Sequence, residues 1–458
     1  LQNNSASDET TTGIITANLP DTNWEGREFR VLGYVDDTYP QFSNFEIYSD
    51  GETGEVVNDA IYRRNRVIED RYNVKIAQYL AEEETSQRHR KVAAAYEDLY
   101  DLGFFNVYSI GLAAREKLFF NLNDIDYIDF SQSYWYEEVN KALSYRNRLY
   151  FTSSDFALRD KNRAYILLYN RAMAENFGLG NLADLVRAGT WTVDKMTEFS
   201  KLVSSDLNGN GEIDEQDRFG LALDSYNAFA NFITGCNNTI LTKTGDDTFE
   251  LTMNNEHTVN SVDKVLALTG NESIATFCEF WANKVDYDVW YVGIRLFSSE
   301  RALFYTSFPH DLKVFSADCE FEYRIIPFPK YDDAQDNYYT SADFLSMLFA
   351  IPVTNAEPDF AGFMLEALSS ASTSTSLQAY YEISCKTKYT YDEESAEMLD
   401  LIFSNIVYET ALVYGVGDLR SLYMLIPEQK KNTFVSLYKT REKRALKDLE
   451  KLAEDLAG

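Results

Sequence analysis

Histidine and cysteine are scarce in this chain, with three and four residues among 458. The histidines are His89, His257 and His310, too few and too scattered for chemistry built on a histidine cluster. The cysteines are Cys236, Cys278, Cys319 and Cys385, and no two form a CxxC pair, which argues against a structural zinc site. They are also too few for a disulfide scaffold; buried thiols are the preferred reading, and one or two bridges stay open. Long apolar runs are lacking as well. The longest candidate, residues 344–353, contains a Ser and a Pro and falls well short of the ~20 residues that cross a bilayer. Basic residues are outnumbered, 42 Lys and Arg against 73 Asp and Glu, for a formal net charge of −31. Nucleic acid and an anionic membrane face both need a basic footprint, so neither is expected as the main partner.

Catalytic signatures are missing too. There is no P-loop, no GxGxxG after a strand, no HExxH and no GxSxG. Gly415-Val-Gly417 runs on without a third glycine. No two of the 73 acidic residues stand out as a glycosidase pair, so acid/base catalysis is unsupported, and the chain is not expected to be an enzyme.

What is present is an ordinary globular composition, 45% hydrophobic, with a high 15% of aromatics. Such a chain buries a large core and is no solvating acidic tail. The polar, aperiodic start, Leu1 to Thr22, reads as a flexible tether, as expected of an exported, surface-anchored protein whose signal has been removed.

The hydrophobic pattern alternates between strand and helix. Residues 29–35, 74–80 and the apolar run 102–110 read as strands. Val57, Ala60, Ile61, Ile68 and Tyr72 have helical spacing, and a charged helix is expected over 83–99. This β-α-β-α-β order implies a largely parallel sheet covered by helices. Further strands are expected at 164–169, 219–223, 248–253, 322–327 and 344–351. Thr192 is a plausible N-cap for a helix over 192–203. The chain after Asp359 looks helical. It ends in one apolar stripe of Phe434, Leu437, Tyr438, Ala445, Leu449, Leu452 and Leu456.

The sharpest local motif is the loop Asp206–Asp217. Asp206, Asn208, Asn210, Asp214 and Asp217 occupy loop positions 1, 3, 5, 9 and 12; Gly211 stands at the turn, and Glu212 offers its carbonyl at position 7. This is EF-hand-loop spacing, an oxygen cage suited to Ca²⁺. Asp in place of Glu at position 12 shortens the bidentate reach, and a strand rather than a helix follows. The expectation is an isolated structural calcium loop; the alternative is an acidic Asn-Gly turn.

Several segments together resemble the extracellular solute-binding proteins of carbohydrate ABC transporters, the maltose-binding-like group. They are Gly26-Arg-Glu-Phe-Arg-Val-Leu32, the stretch from Gly54 to Asn65 leading into Glu69–Lys75, Tyr165-Ile-Leu-Leu-Tyr-Asn-Arg171 and Gly189-Thr-Trp-Thr-Val-Asp-Lys195. Ile325–Tyr331, Ala350-Ile-Pro-Val353 and Lys388–Met398 follow, and the calcium loop belongs to the same set. The resemblance runs from about Trp24 to near the end of the chain. It implies a type II periplasmic-binding-protein fold, with two α/β lobes joined by hinge crossings and a helical C-terminus. Residues 1–23 would be the tether, 24–160 with 306–372 lobe one, 161–305 with 373–430 lobe two, and 431–458 a C-terminal amphipathic helix. It also implies a monomeric lipoprotein outside the cytoplasm that captures a sugar or oligosaccharide for an ABC-transporter permease. The same scaffold with a peptide or other solute, or a secreted carbohydrate-active enzyme, are the alternatives.

Sugars present apolar C–H faces and hydroxyl edges, so a sugar site needs aromatic platforms and a few charged groups. The candidates are Trp135 as a stacking platform, Tyr108 and Ser109 after an apolar strand, and Asp155 and Arg163 flanking the first crossing. In the second half they are Tyr226, Phe308, His310, Tyr339 and Tyr414.

Overall fold

The computed structural model describes residues 13–37, 43–313, 315, 319–381 and 393–456. In chain order the strands are β1 (Arg27–Tyr34), β2 (Val74–Ala81), β3 (Leu102–Asn106), β4 (Ile166–Asn170) and β5 (Phe219–Leu223). They continue with β6 (Leu241–Lys243), β7 (Phe249–Leu251), β8 (Ala275–Phe277), β9 (Ala302–Ser307) and β10 (Tyr323–Ile326). The last are β11 (Thr340–Ser341), β12 (Met347–Ala350) and β13 (Ile406–Val407).

The first sheet has the order β12-β3-β1-β2. β1 runs parallel to β2 and β3, as β-α-β alternation requires, and β12 closes the edge antiparallel to β3. Alternate residues feed two cores. Phe29, Val31 and Phe104 pack under the helices Val56–Tyr72 and Pro358–Thr373, while Leu32 and Phe105 face Val92 and Ile110 on the other side. The helix Val56–Tyr72 ends on Asn73 in the left-handed conformation (φ 49°), which turns the chain directly into β2.

The second sheet has the order β10-β4-β9-β5-β8, with β5 parallel to β8 and β9, and β4 antiparallel to β9 and β10. Thr192 caps the helix Val193–Val203 as expected, its Oγ1 accepting from the Lys195 amide at 3.3 Å. The expected strand at 248–253 is a short hairpin of β6 and β7. After Pro358 the described chain is mainly helical, interrupted by β13, which pairs with β11.

Two expected boundaries move. β10 lies in the second sheet, so the return to the first lobe falls between 327 and 346 rather than at 306; β10 finds its partner in β4, far away in sequence. Within the expected tether, residues 13–22 are docked rather than free. Ala17 and Leu19 are buried in the first lobe, and the Ile15 amide donates to Ser374 Oγ at 2.8 Å. Their few apolar side chains are enough to hold the segment against the core; residues 1–12 lie outside the described chain.

Among the described residues three segments link the lobes: 153–164, 327–346 and 374–381. The bridge Ala164–Ala342 ties the first two together, and Thr152 bridges to Phe349 of β12 just before the first begins. The terminal helix Phe434–Asp455 buries Phe434, Tyr438, Ala445 and Leu452, and Asp455 accepts from Arg115 Nε at 2.9 Å. Cys236 and Cys278 are buried free thiols, and Cys385 lies outside the described residues. Among the described residues no helix is long and apolar enough to cross a membrane.

Candidate functional site

Parallel strands deliver their carboxyl ends, and the loops that follow, to one edge of a sheet. Here those edges of the two sheets converge on the crossing segments. On the first lobe, β1 ends at Tyr34, whose hydroxyl donates to Asp36 Oδ2 at 3.1 Å. β3 runs straight into the helix Val107–Arg115, so Tyr108 sits in its first turn, 36% exposed, with its ring 6.2 Å from Phe344. Burial, with the Glu84 carboxylate second, raises the Tyr108 hydroxyl pKa.

On the second lobe, Asp224 directly follows β5. Its carboxylate accepts from Thr306 Oγ1 at 2.6 Å, Ser225 Oγ at 3.0 Å and Tyr165 OH at 3.4 Å. Burial is the main force pushing this carboxyl up to about 7, with Glu279 and Asp343 adding to it. Ser225 caps the helix Tyr226–Gly235, accepting from the Asn227 amide at 3.2 Å. Tyr226 opens that helix, its ring 5.0 Å from Phe277 and its amide donating to Glu279 Oε1 at 2.9 Å. After β9, Phe308 lies 4.4 Å from Tyr165 and stacks on His310. Burial holds His310 below its ordinary pKa, and its Nδ1 is 3.1 Å from the Asn162 carbonyl.

The crossings join the two sides. Arg163 Nε donates to Asp343 Oδ1 at 2.9 Å, and its guanidinium lies 4.8 Å over the Phe308 ring. Arg159, pushed down to about 10 chiefly by burial, lies 5.9 Å over Tyr34. Arg420 donates through Nη1 to Asn227 Oδ1 at 2.9 Å, while its buried Nη2 has no hydrogen-bond partner among the described residues. The result is a group of rings from both lobes, carboxylates that accept hydrogen bonds and guanidinium groups that donate them, gathered at the front of the crossings, where this two-lobed arrangement puts its interlobe cleft.

Of the ten candidates, Tyr108, Arg163, Tyr226, Phe308 and His310 are gathered on this front side of the crossings, and the other five are not. Ser109 is buried, its hydroxyl 2.8 Å from Ser86 Oγ and donating to Glu84. Trp135 is core. Its Nε1 donates to Glu366 Oε2 at 3.0 Å and its ring packs on Phe130 and Phe349, so the indole has both a polar partner and apolar walls inside. Tyr414 is also core, wedged between Phe151 and Phe249 with its hydroxyl on the Leu143 carbonyl. Tyr339 lies beside Gly235, at the far end of the helix that Tyr226 opens, about 13 Å away at 1.5 Å per residue. Asp155 points to the opposite side of the crossing, where it accepts from Tyr136 OH and Thr373 Oγ1.

Asp224, Asp343, Phe344, Arg159 and Arg420 were not among the sequence candidates. Asp224 had a usable signal, since it directly follows a strand; Arg420 had none, because only the fold brings it to Asn227.

The Asp206–Asp217 loop closes on itself. Asp206 accepts from the Gly209 and Gly211 amides at 2.6 and 2.9 Å, and Asp217 from the Asp214 amide at 3.1 Å. Asn208 and Asn210 both donate through Nδ2 to Asp214 Oδ2 at 2.8 Å. Among the described residues no group of three or more carboxylate, imidazole or thiol side chains converges as a metal site.

No protein-family model matches the chain, and no curated protein does. Solved structures do match in fold. A cyclo/maltodextrin-binding protein complexed with maltotetraose has a TM-score of 0.59 at 14% identity, covering 94% of this chain and 98% of its own. An ABC substrate-binding protein from Listeria monocytogenes in complex with cycloalternan has a TM-score of 0.54 at 12% identity, covering 94% and 99%. A maltose-bound protein of T. maritima has a TM-score of 0.54 at 13% identity, covering 93% and 99%. The fold is that of the type II periplasmic binding proteins, in the form seen in maltose-binding-like proteins.

Proposed function

We propose that this chain is an extracytoplasmic solute-binding protein that captures a sugar or oligosaccharide between its lobes and presents it to an ABC-transporter permease. The observation that carries the reading is the front cleft. Tyr108 and Phe344 from the first-lobe side, and Tyr226 from the second, offer ring faces for C–H surfaces. Asp36, Asp224 and Arg420 offer acceptors and donors for hydroxyls. The fold-mates just described carry cycloalternan, maltotetraose or maltose, which supports a saccharide as the class to test first. Closure around the ligand is a hinge motion at the three crossings.

The test is isothermal titration with gluco-, xylo- and manno-oligosaccharides beside a set of short peptides, with product analysis of each mixture. One saccharide class binding unchanged is the expected outcome. Binding of peptides alone, or turnover of a saccharide, sinks the reading.

The same reading includes a surface lipid anchor, a monomeric state and structural calcium in the Asp206–Asp217 loop. Calcium is supported by the loop spacing and by Gly211 turning the chain at φ 77°, where the cage needs its sharp bend. Asp206, Asn208, Asn210, Asp214 and Asp217 supply the side-chain oxygens and Glu212 the carbonyl; the Asn208 and Asn210 amides would have to rotate to aim oxygen rather than nitrogen inward.

A further inference from the structure

The charge of this chain is unevenly spread. Acidic residues outnumber basic ones 73 to 42 overall. On the terminal helix Phe434–Asp455 the exposed side chains reverse that ratio. They include the bases Lys439, Lys443, Arg444, Lys447 and Lys451 and the acids Glu450 and Glu454. The packing of the helix explains why the bases face outward. Phe434, Tyr438, Ala445 and Leu452 fix one side of it against the core. Lys439, Lys443, Lys447 and Lys451 follow one another four residues apart on the other side, a stripe about 18 Å long at 1.5 Å per residue.

Three neighbouring bases are neutralised within the chain: Arg441 by Asp418, Arg444 by Asp448 at 3.7 Å and Lys430 by Glu272 at 2.6 Å. The four lysines of the stripe have no ion pair among the described residues. Glu450 and Glu454 offset only part of their charge. Two apolar side chains share the outward face: Val435, one turn before Lys439 and 38% exposed, and Leu446, one turn after Lys443 and 49% exposed.

A helix surface is convex, so such a row suits a flat array of negative charge better than a small molecule, which needs enclosure. Lysine is a compact charge on a flexible stem and attracts an anionic layer without fixed geometry, whereas arginine is the base suited to the carboxylates of a folded partner. Lysines beside exposed Leu and Val on a surface helix match a lipid headgroup layer, where the lysines meet phosphates and the leucine reaches the acyl boundary. The acidic surface elsewhere repels such a layer, but charges farther away than about 10 Å are largely screened at 0.1 M salt.

We propose that the outer face of the terminal helix docks the protein on an anionic phospholipid surface through Lys439, Lys443, Lys447 and Lys451, with Leu446 at the acyl boundary. An acidic protein is the rival occupant. The docking needs no ligand in the cleft and does not depend on the saccharide reading.

Co-sedimentation of the full chain with vesicles tests it, using phosphatidylglycerol mixed with phosphatidylcholine beside phosphatidylcholine alone. Half-binding at about 1 mM accessible anionic lipid is expected in about 50 mM NaCl, with none to phosphatidylcholine alone and a steep loss by about 200 mM NaCl. Joint replacement of Lys439, Lys443 and Lys447 by Gln should weaken binding at least about tenfold. Joint replacement of Lys75, Lys201 and Lys284 by Gln removes the same charge from other exposed sites and should leave binding within about twofold. Circular dichroism checks folding, and Lys443→Glu alone, expected to weaken binding about tenfold, carries the test if the triple variant does not fold. No binding up to about 5 mM anionic lipid overturns the proposal. Equal binding by the two triple variants also overturns it, because total charge rather than this face would then decide. So does equal binding to phosphatidylcholine alone, or capture by poly-L-glutamate without binding to vesicles, which would make the occupant an acidic protein.

Discussion

Arg163 and Asp343 form a buried ion pair that ties the first crossing segment to the second, side-chain exposures being 6% and 2%. Removing one partner leaves the other charge buried and unmatched. Asp343→Asn or Arg163→Met is expected to cost about 3–5 kcal/mol, and the paired replacement Arg163→Met with Asp343→Leu markedly less. Urea unfolding of the three variants measures this. Equal losses for the single and paired variants would mean that the pair's own interaction, and not an orphaned buried charge, supplies the stabilisation.

Asp224 titrates within the working range. Its folded pKa, about 7, lies above its ordinary 3.8, so the folded state holds the proton more tightly than the unfolded state. Its contribution to stability is therefore full below about pH 4 and is lost as pH rises through about 7. Ionisation makes it a better acceptor for a hydroxyl, so saccharide affinity should rise as pH passes through about 7. Asp224→Asn should flatten the stability profile between about pH 4 and 7 and the affinity profile around pH 7, as read from melting temperature and titration calorimetry. An affinity profile identical in the variant would remove Asp224 from the site.

Trp135 and Tyr108 separate packing from binding. Trp135→Ala empties a core position and should cost about 3–5 kcal/mol while leaving the affinity of the folded protein near its original value. Tyr108→Ala, on the exposed rim, should weaken saccharide binding about tenfold with little change in melting temperature. The reverse pattern would return Trp135 to the role of stacking platform.

Calcium should raise the melting temperature, and a chelator should lower it, if the Asp206–Asp217 loop is a cation cage; Asp206→Ala should abolish the difference. A melting curve indifferent to chelation would identify the loop as an Asx-rich turn closed by its own hydrogen bonds.

The sequence was most readable where the signal is local. Helical spacing from Val57 to Tyr72 and the cap at Thr192 depend on near neighbours, and both stand in the structure. The parallel β1–β2–β3 core also followed from alternation alone. Misplacements arose where a distant partner decides. Trp135 goes inside because Glu366 meets its indole nitrogen, and Tyr414 because Leu143 offers a carbonyl. β10 joins the second sheet because β4 receives it. Asp155 was expected as a ligand contact flanking the first crossing; it accepts from Tyr136 and Thr373 instead, and which side of an irregular segment a side chain takes has no periodicity to reveal it.

The antiparallel strand β12 also bears on how the molecule is made. β3 carries Phe104 and Phe105 and reaches its edge partner only when residues 347–350 have been synthesised, after the whole second sheet. Until then one edge of the first sheet stays open, apolar and able to pair with another chain. The first lobe cannot complete itself as an independent early unit. Refolding should be slow and concentration-sensitive, with yield falling through aggregation rather than through loss of the final state.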